Sequence, residues 1–257
     1  MKVLKKIDKR NKKKPDLTVL CSYYNNENTI KKSLNSIFNQ TLNNFEVIIY
    51  SDGSNDFSDK IVNKIIKNKR NILFLKSDKN LGLTKSLNYI LKFARGQFIA
   101  RHDTDDISKK NRFRNQVNFL KKNKHIHVLG TNSIHISNKR KFIKMPKTNF
   151  LIKRKLPQEN VIIHSSVIIL KKILNKYKYN EKFLRCQDYE LWLRVRGLIN
   201  FFNLQEYLVI RQIRKNQFTL NDLYYSSLAR FKHINIFEAL IYGFKDLAYF
   251  LTKKIIF

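Results

Sequence analysis

Residues 101–108, RHDTDDIS, set Asp103, Asp105 and Asp106 within four positions of a chain that carries 52 Lys+Arg against 19 Asp+Glu. Acids this close repel one another, and each costs free energy without a compensating partner. Either a cation belongs at this loop, or the loop is a solvated, Asx-rich turn capping the next helix. In extended geometry residues i and i+2 face the same way, roughly 6–7 Å apart. Asp103 and Asp105 then converge on one cation, with Asp106 in support. Hard divalent ions such as Mg²⁺ or Mn²⁺ choose carboxylate oxygens and share them with substrate phosphates.

Such a loop must be held by a frame. LTVLCSYY (Leu17–Tyr24) is an apolar run of β type, and Ile30, Leu34, Ile37 and Phe38 then recur at helical spacing with Asn28 as N-cap. FEVIIY (Phe45–Tyr50) reads as a buried strand stopped by the turn signal SDGSND. A helix around Ile61–Ile66, a strand at Asn71–Lys76, a helix carrying Leu83 to Ala94 and the strand GQFIA (Gly96–Ala100) follow. This alternation implies βαβ units, a mainly parallel sheet flanked by helices, and ligands at the C-terminal ends of the strands. SDGS and RHDTDD both lie directly after such strands. Further on, Arg112–Lys122 reads as a helix, Val128–Lys144 as a strand and hairpin, and VIIHSSVIIL (Val161–Leu170) as a β run interrupted by polar residues. Cys186–Gly197 reads as a short helix, and Asn235–Phe257 as an amphipathic one.

At 257 residues, with 43% hydrophobic residues, 12% aromatics, 6 Gly and 3 Pro, the chain can bury a core, which argues against disorder and low complexity. The net charge of +33 predicts attraction to polyanions: nucleic acid, an anionic membrane or phosphorylated substrates. No zinc spacing, RNP motif or helix-turn-helix supports a nucleic-acid binder. A sugar-nucleotide pyrophosphorylase would want a Gly-rich loop after the first strand, and CSYYNNEN has no Gly. Cys21 and Cys186 form no metal-spaced pair and suit a reducing compartment. No apolar run of about 18 residues spans a bilayer, and the basic start lacks a signal-peptide core. The expectation is a cytoplasmic protein.

The order of SYYNNE, SDGSND, NLGLTKSLN (Asn80–Asn88) and RHDTDD, followed by HSSV (His164–Val167) and QDYELWLR (Gln187–Arg194), resembles the family 2 glycosyltransferases of GT-A fold, particularly bacterial members that build surface polysaccharides. The resemblance covers roughly residues 16–220. It implies a Rossmann-like nucleotide-binding α/β domain with a donor half of about 16–110 and an acceptor half of about 111–220. A basic leader at 1–15 and C-terminal amphipathic helices at 221–257 flank that domain.

The resemblance also implies an inverting, metal-dependent transfer from a nucleotide-diphosphate sugar, with a UDP-hexose as first expectation, to a glycan or lipid-linked acceptor. Ser22, Tyr24 and Glu27 would line the nucleotide pocket and Asp52 would accept from the base imide. Asn80, Gly82 and Lys85 would border the diphosphate, with Asp103 and Thr104 beside the donor. Asp103 and Asp105 would hold Mn²⁺ or Mg²⁺, and His164 would face the acceptor or the metal. Asp188 would be the general base, near the N-terminus of its helix where the dipole favours the ionised form.

The sequence departs from the family at Ser22, where Pro is frequent, at Ser51, where a second Asp is frequent, and at Ile213, where some members carry a His. Arg211, Arg214 or Lys215 would then steady the diphosphate. Read alone, Asp52 is a turn residue before Gly53, Lys85 a solvated helix charge, His164 a hydrogen-bonded core residue and Trp192 core. Residues 1–14 hold eight Lys or Arg and one acid, and the last helix has an apolar face punctuated by lysines, so an anionic membrane surface is an expected partner.

Overall fold

The computed structural model describes residues 2–213 and 219–255. Its strands are β1 (Val3–Asp8), β2 (Leu17–Tyr23), β3 (Phe45–Ser51), β4 (Ile72–Ser77), β5 (Phe98–Arg101), β6 (Ile107–Ser108), β7 (Val128–Ile136), β8 (Arg140–Ile143), β9 (Ile168–Leu170) and β10 (Phe201–Gln212). Its helices are α1 (Ile30–Phe38), α2 (Ser58–Ile66), α3 (Leu83–Leu91), α4 (Arg112–Lys122), α5 (Asn149–Lys155), α6 (Lys171–Tyr177), α7 (Gln187–Val195), α8 (Leu220–His233) and α9 (Ile236–Ile255).

The sheet runs β1-β4-β3-β2-β5-β9-β7-β10-β6, with β8 paired to β7. Strands β4, β3, β2 and β5 are parallel neighbours, as are β7 and β10. β9 runs antiparallel to both β5 and β7, so the two parallel groups point the same way. Every residue of β2 is buried, and all of β3 after Phe45. Helices cover both faces of a parallel sheet, which is why these strands read as unbroken apolar runs. α1 buries Ile30, Ser33, Leu34 and Ile37, one stripe at helical spacing.

Three local expectations change. The basic start is not a free leader: Val3–Asp8 pairs antiparallel with β4 as the edge strand. Lys5 Nζ donates to Asn63 Oδ1 at 2.9 Å, and Lys9 Nζ to the Ile66 and Lys67 carbonyls at 3.0 and 2.6 Å, at the C-terminal end of α2. VIIHSSVIIL is a strand only over Ile168–Leu170, because His164–Ser166 coils into a 3₁₀ turn. The long strand β10 and helices α5 and α6 carried too little periodicity to be read beforehand.

Candidate active site

Because β2, β3, β4 and β5 are parallel, the loops that follow them gather at one edge of the sheet. They enclose a cavity of about 250 Å³ lined by Ser22, Tyr24, Asp52, Asn80, Gly82, Asp103, Thr104 and Asp105, together with Tyr23, Asn26 and Leu83. Eight residues singled out in the sequence therefore share one cavity.

Backbone hydrogen bonds between loops fix its walls. The buried Asp52 carboxylate accepts from the Leu81 N–H on one oxygen and the Gly82 N–H on the other, both at 2.9 Å. Asp52 thus holds the third loop in place, a structural role beyond the turn formation read from its sequence. Gly53 has φ +72, and a Cβ there would stand 2.4 Å from the Lys79 carbonyl carbon, so no other residue fits without displacing backbone. Glu27 lies off the cavity: its carboxylate accepts from the Phe57 N–H at 2.9 Å, while its own N–H donates to Asp56 at 3.1 Å. Lys85 is exposed on α3 and does not line the cavity.

The acidic loop is a turn rather than an extended segment, with the Asp106 N–H donating to the Asp103 carbonyl at 3.1 Å. Asp103 and Asp105 still both reach the cavity. The Arg101 guanidinium, itself buried, donates to the Asp103 carboxylate. Burial would raise that carboxyl, but Arg101, helped by His164 and Arg211, holds it below the usual carboxylate range. Asp106 is buried behind the loop, and burial together with the nearby Asp103 charge pushes it up to about 7. Arg211 Nε stands 3.5 Å from Asp106 Oδ2, an ion pair without hydrogen-bond geometry.

Beneath the loop lies a polar network that sequence reading missed. His102 is fully buried between Ser33 Oγ at 2.8 Å and Ser108 Oγ at 3.1 Å. Burial, with Arg112 alongside, lowers it to about 3 and keeps it neutral. Arg112, also fully buried, donates to the Arg101 carbonyl at 2.9 Å and to Ser108 Oγ at 2.8 Å. Burial lowers it to about 9, so it stays charged at neutral pH. One turn along α4, Gln116 donates to the Leu129 and Ser166 carbonyls, both at 2.9 Å. The only sequence signal was RFRNQ itself, whose Arg and Gln four apart share a helix face.

Asp188, the second residue of α7, is half-buried, and its Oδ2 accepts from Asn160 Nδ2 at 2.8 Å. His164 Nε2 is 2.9 Å from the Tyr179 hydroxyl. Burial lowers His164 to about 4, against the opposing pull of Asp188. Asp188, His164 and Arg211 do not line the cavity. Asp188 and Asp103 are near enough to act electrostatically on His164, and Arg211 on Asp103. Trp192 is buried, packed edge-on to Phe201. Arg214 and Lys215 lie outside the described residues. Among the described residues, no group of three or more His, Cys, Asp or Glu forms a protein-only metal site.

The parallel sheet with a carboxylate-bearing cavity at its C-terminal edge is the α/β architecture of the GT-A fold. Among solved structures, S. aureus TarS residues 1–349 in complex with UDP matches with a TM-score of 0.67 and 21% identity, over 85% of this chain and 66% of that one. The mannosyltransferase PcManGT from Pyrobaculum calidifontis, in complex with GDP-Man and Mn2+, matches with a TM-score of 0.63 and 14% identity, over 92% of this chain and 65% of that one. The protein therefore spans just under two thirds of these structural relatives. The model of the glycosyl transferase family 2 matches residues 18–181, and the chain belongs to that family. An uncharacterized glycosyltransferase of Methanocaldococcus jannaschii is 34% identical over 203 residues, 76% of this chain and 70% of the relative. The amylovoran biosynthesis glycosyltransferase AmsE of Erwinia amylovora is 31% identical over 70% of each chain. The UDP-Glc:alpha-D-GlcNAc-diphosphoundecaprenol beta-1,3-glucosyltransferase WfgD of Escherichia coli is 27% identical over 83% of each.

Proposed function

We propose that this glycosyltransferase moves a sugar, with inversion, from a nucleoside diphosphate donor, first of all a UDP-hexose, to a glycan or lipid-linked acceptor in surface-polysaccharide synthesis at the inner face of the cell membrane. The observation that carries the reading is the shared cavity, in which Asp103 and Asp105 stand opposite the loops of Ser22, Asp52 and Asn80. Tyr24, 45% exposed at the rim, supplies a ring for a base to lie against. The relatives' UDP-sugar donors and diphosphoundecaprenol acceptor support the substrate classes.

A divalent cation suits the donor set. Two carboxylates on one loop offer hard oxygen ligands, and fewer than three protein ligands leaves positions for substrate phosphates. When bound by Asp103 and Asp105, Mn²⁺ or Mg²⁺ supplies charge for the departing diphosphate. The remaining chemistry belongs to the chain. The acceptor oxygen bonds to the anomeric carbon as the bond to the nucleoside diphosphate breaks, and Asp188 takes the hydroxyl proton. Asn160 orients that carboxylate. Neutral His164 contributes hydrogen bonding, and Arg211 adds positive charge behind the acidic loop.

A thermal-shift screen of UDP, GDP and dTDP sugars with Mn²⁺ tests the donor. EDTA and Asp105→Ala should each abolish transfer, with the circular dichroism of Asp105→Ala unchanged. Full transfer in EDTA would overturn the metal assignment, and no stabilisation by any sugar nucleotide would overturn the donor class.

A further inference from the structure

The C-terminal helices pack with their polar sides together and their apolar sides out. α8 and α9 form an antiparallel hairpin: Arg230 bonds to Asp246 at 2.7 Å, Ser226 lies 3.5 Å from the same carboxylate, and Gly243 faces Ser227. The positions of α9 turned inward include Ala239, Gly243 and Asp246. The residue after each is a large apolar side chain left exposed: Leu240, Phe244 and Leu247. On α8 the inward Ser227 and Arg230 are likewise each followed by an exposed residue, Leu228 and Phe231. One residue is about 100° of helix rotation, so each apolar stripe stands a quarter-turn beyond its packing line in the same rotational sense. In antiparallel helices those rotations lead to the same side of the pair. The hairpin therefore presents one continuous apolar face, and Phe237 at 73% and Phe244 at 68% exposure are among its most open members. A patch of this kind on an otherwise highly charged protein marks a contact surface.

We infer that this face is the docking surface for an anionic lipid bilayer, lying in the headgroup plane. Charge chooses the occupant. With a net charge of +33, two copies meeting here would repel, whereas an anionic surface attracts the whole molecule. Exposed Lys232 and Lys245 accompany the apolar face, and Lys253 and Lys254 follow in the sequence. No helix among the described residues is long and apolar enough to cross a membrane, so the hairpin lies on the bilayer.

The inference deepens the proposed function and rests on its lipid-linked acceptor, because the hairpin is tied to the acceptor side of the site. Asp222, in the first turn of α8, accepts from Arg185 at 3.1 Å and, through its carbonyl, from Cys186 Sγ at 3.5 Å, two residues before Asp188. Arg230 donates to the Pro157 and Gln158 carbonyls at 3.0 and 2.8 Å, just ahead of the Asn160 that holds Asp188. A hairpin seated on lipid would hold the general base close to where a membrane-anchored hydroxyl emerges.

The test is flotation of the full-length chain with phosphatidylglycerol/phosphatidylcholine vesicles and with phosphatidylcholine alone, at low and high salt. Wild type should float with the anionic vesicles at low salt. F237E/F244E should lose on the order of 100-fold in partitioning, since two aromatic rings no longer enter the interface, while F237L/F244L floats. The glutamate variant should keep the sugar-nucleotide thermal shift, which shows the fold intact and separates loss of docking from failure of the donor reading. Wild type left in the soluble fraction at low salt would overturn the inference. So would F237E/F244E floating like wild type, or sedimentation showing a wild-type dimer that this variant converts to monomer.

Discussion

The two sides of the site proposed to bind donor and acceptor are built by different means. On the donor side, neighbouring loops are stitched by several short hydrogen bonds, as when Asp52 takes two backbone N–H groups, and as when Glu27 accepts from the Phe57 N–H while its own N–H donates to Asp56. On the acceptor side each key group has one described side-chain hydrogen bond, Asn160 for Asp188 and Tyr179 for His164, from a different stretch of chain. The cavity loops are thus tied to one another by more hydrogen bonds than the groups around Asp188 and His164.

Four measurements would break or sharpen this contrast. The largest effect is expected on the acceptor side, where Asp188→Asn should cost on the order of 10²–10⁴ in kcat with donor affinity nearly unchanged. A variant within threefold of wild type would move the proton to another residue. Next comes the network that joins the two sides. Arg112→Met strands the Arg101 carbonyl and Ser108, at a cost of about 3 kcal/mol, and calorimetry should show Tm falling by roughly 6–12 °C.

A matched pair tests the contrast directly. Asp52→Asn places an NH₂ against one of the two loop N–H groups and should weaken donor binding about tenfold, read by titration calorimetry. Asn160→Ala should leave that Kd alone and lower kcat about tenfold. If both variants changed the same constant, the two sides would not be independent.

The smallest effect concerns pH. His164 is lowered to about 4 by burial, below its ordinary value near 6.5, so between these values the unfolded chain binds the extra proton. Its contribution to stability is complete above about pH 6.5 and is lost as pH falls towards 4. His164→Gln, which can still bond to Tyr179, should flatten the decline in Tm between pH 6.5 and 4.5. An unchanged slope would place the acid sensitivity elsewhere.

The sequence alone determined the parallel frame and the donor motifs. Buried parallel strands announce themselves as apolar runs, and a loop directly after such a strand has only one edge of the sheet to occupy. Asp103 and Asp105 could be placed at the cavity from their position after the strand read at Gly96–Ala100, even though the loop proved to be a turn. Tertiary structure alone decided which charges are buried and what they meet. Nothing local told that Arg101 and Arg112 would be enclosed, that Val3–Asp8 would add to the sheet, or that Asn160 would find Asp188. The reason is physical: strand and helix patterns arise from interactions a few residues apart. The fate of a charge instead depends on which distant segment excludes water from it, and helical periodicity shows that an apolar face exists without saying whether protein or solvent lies against it.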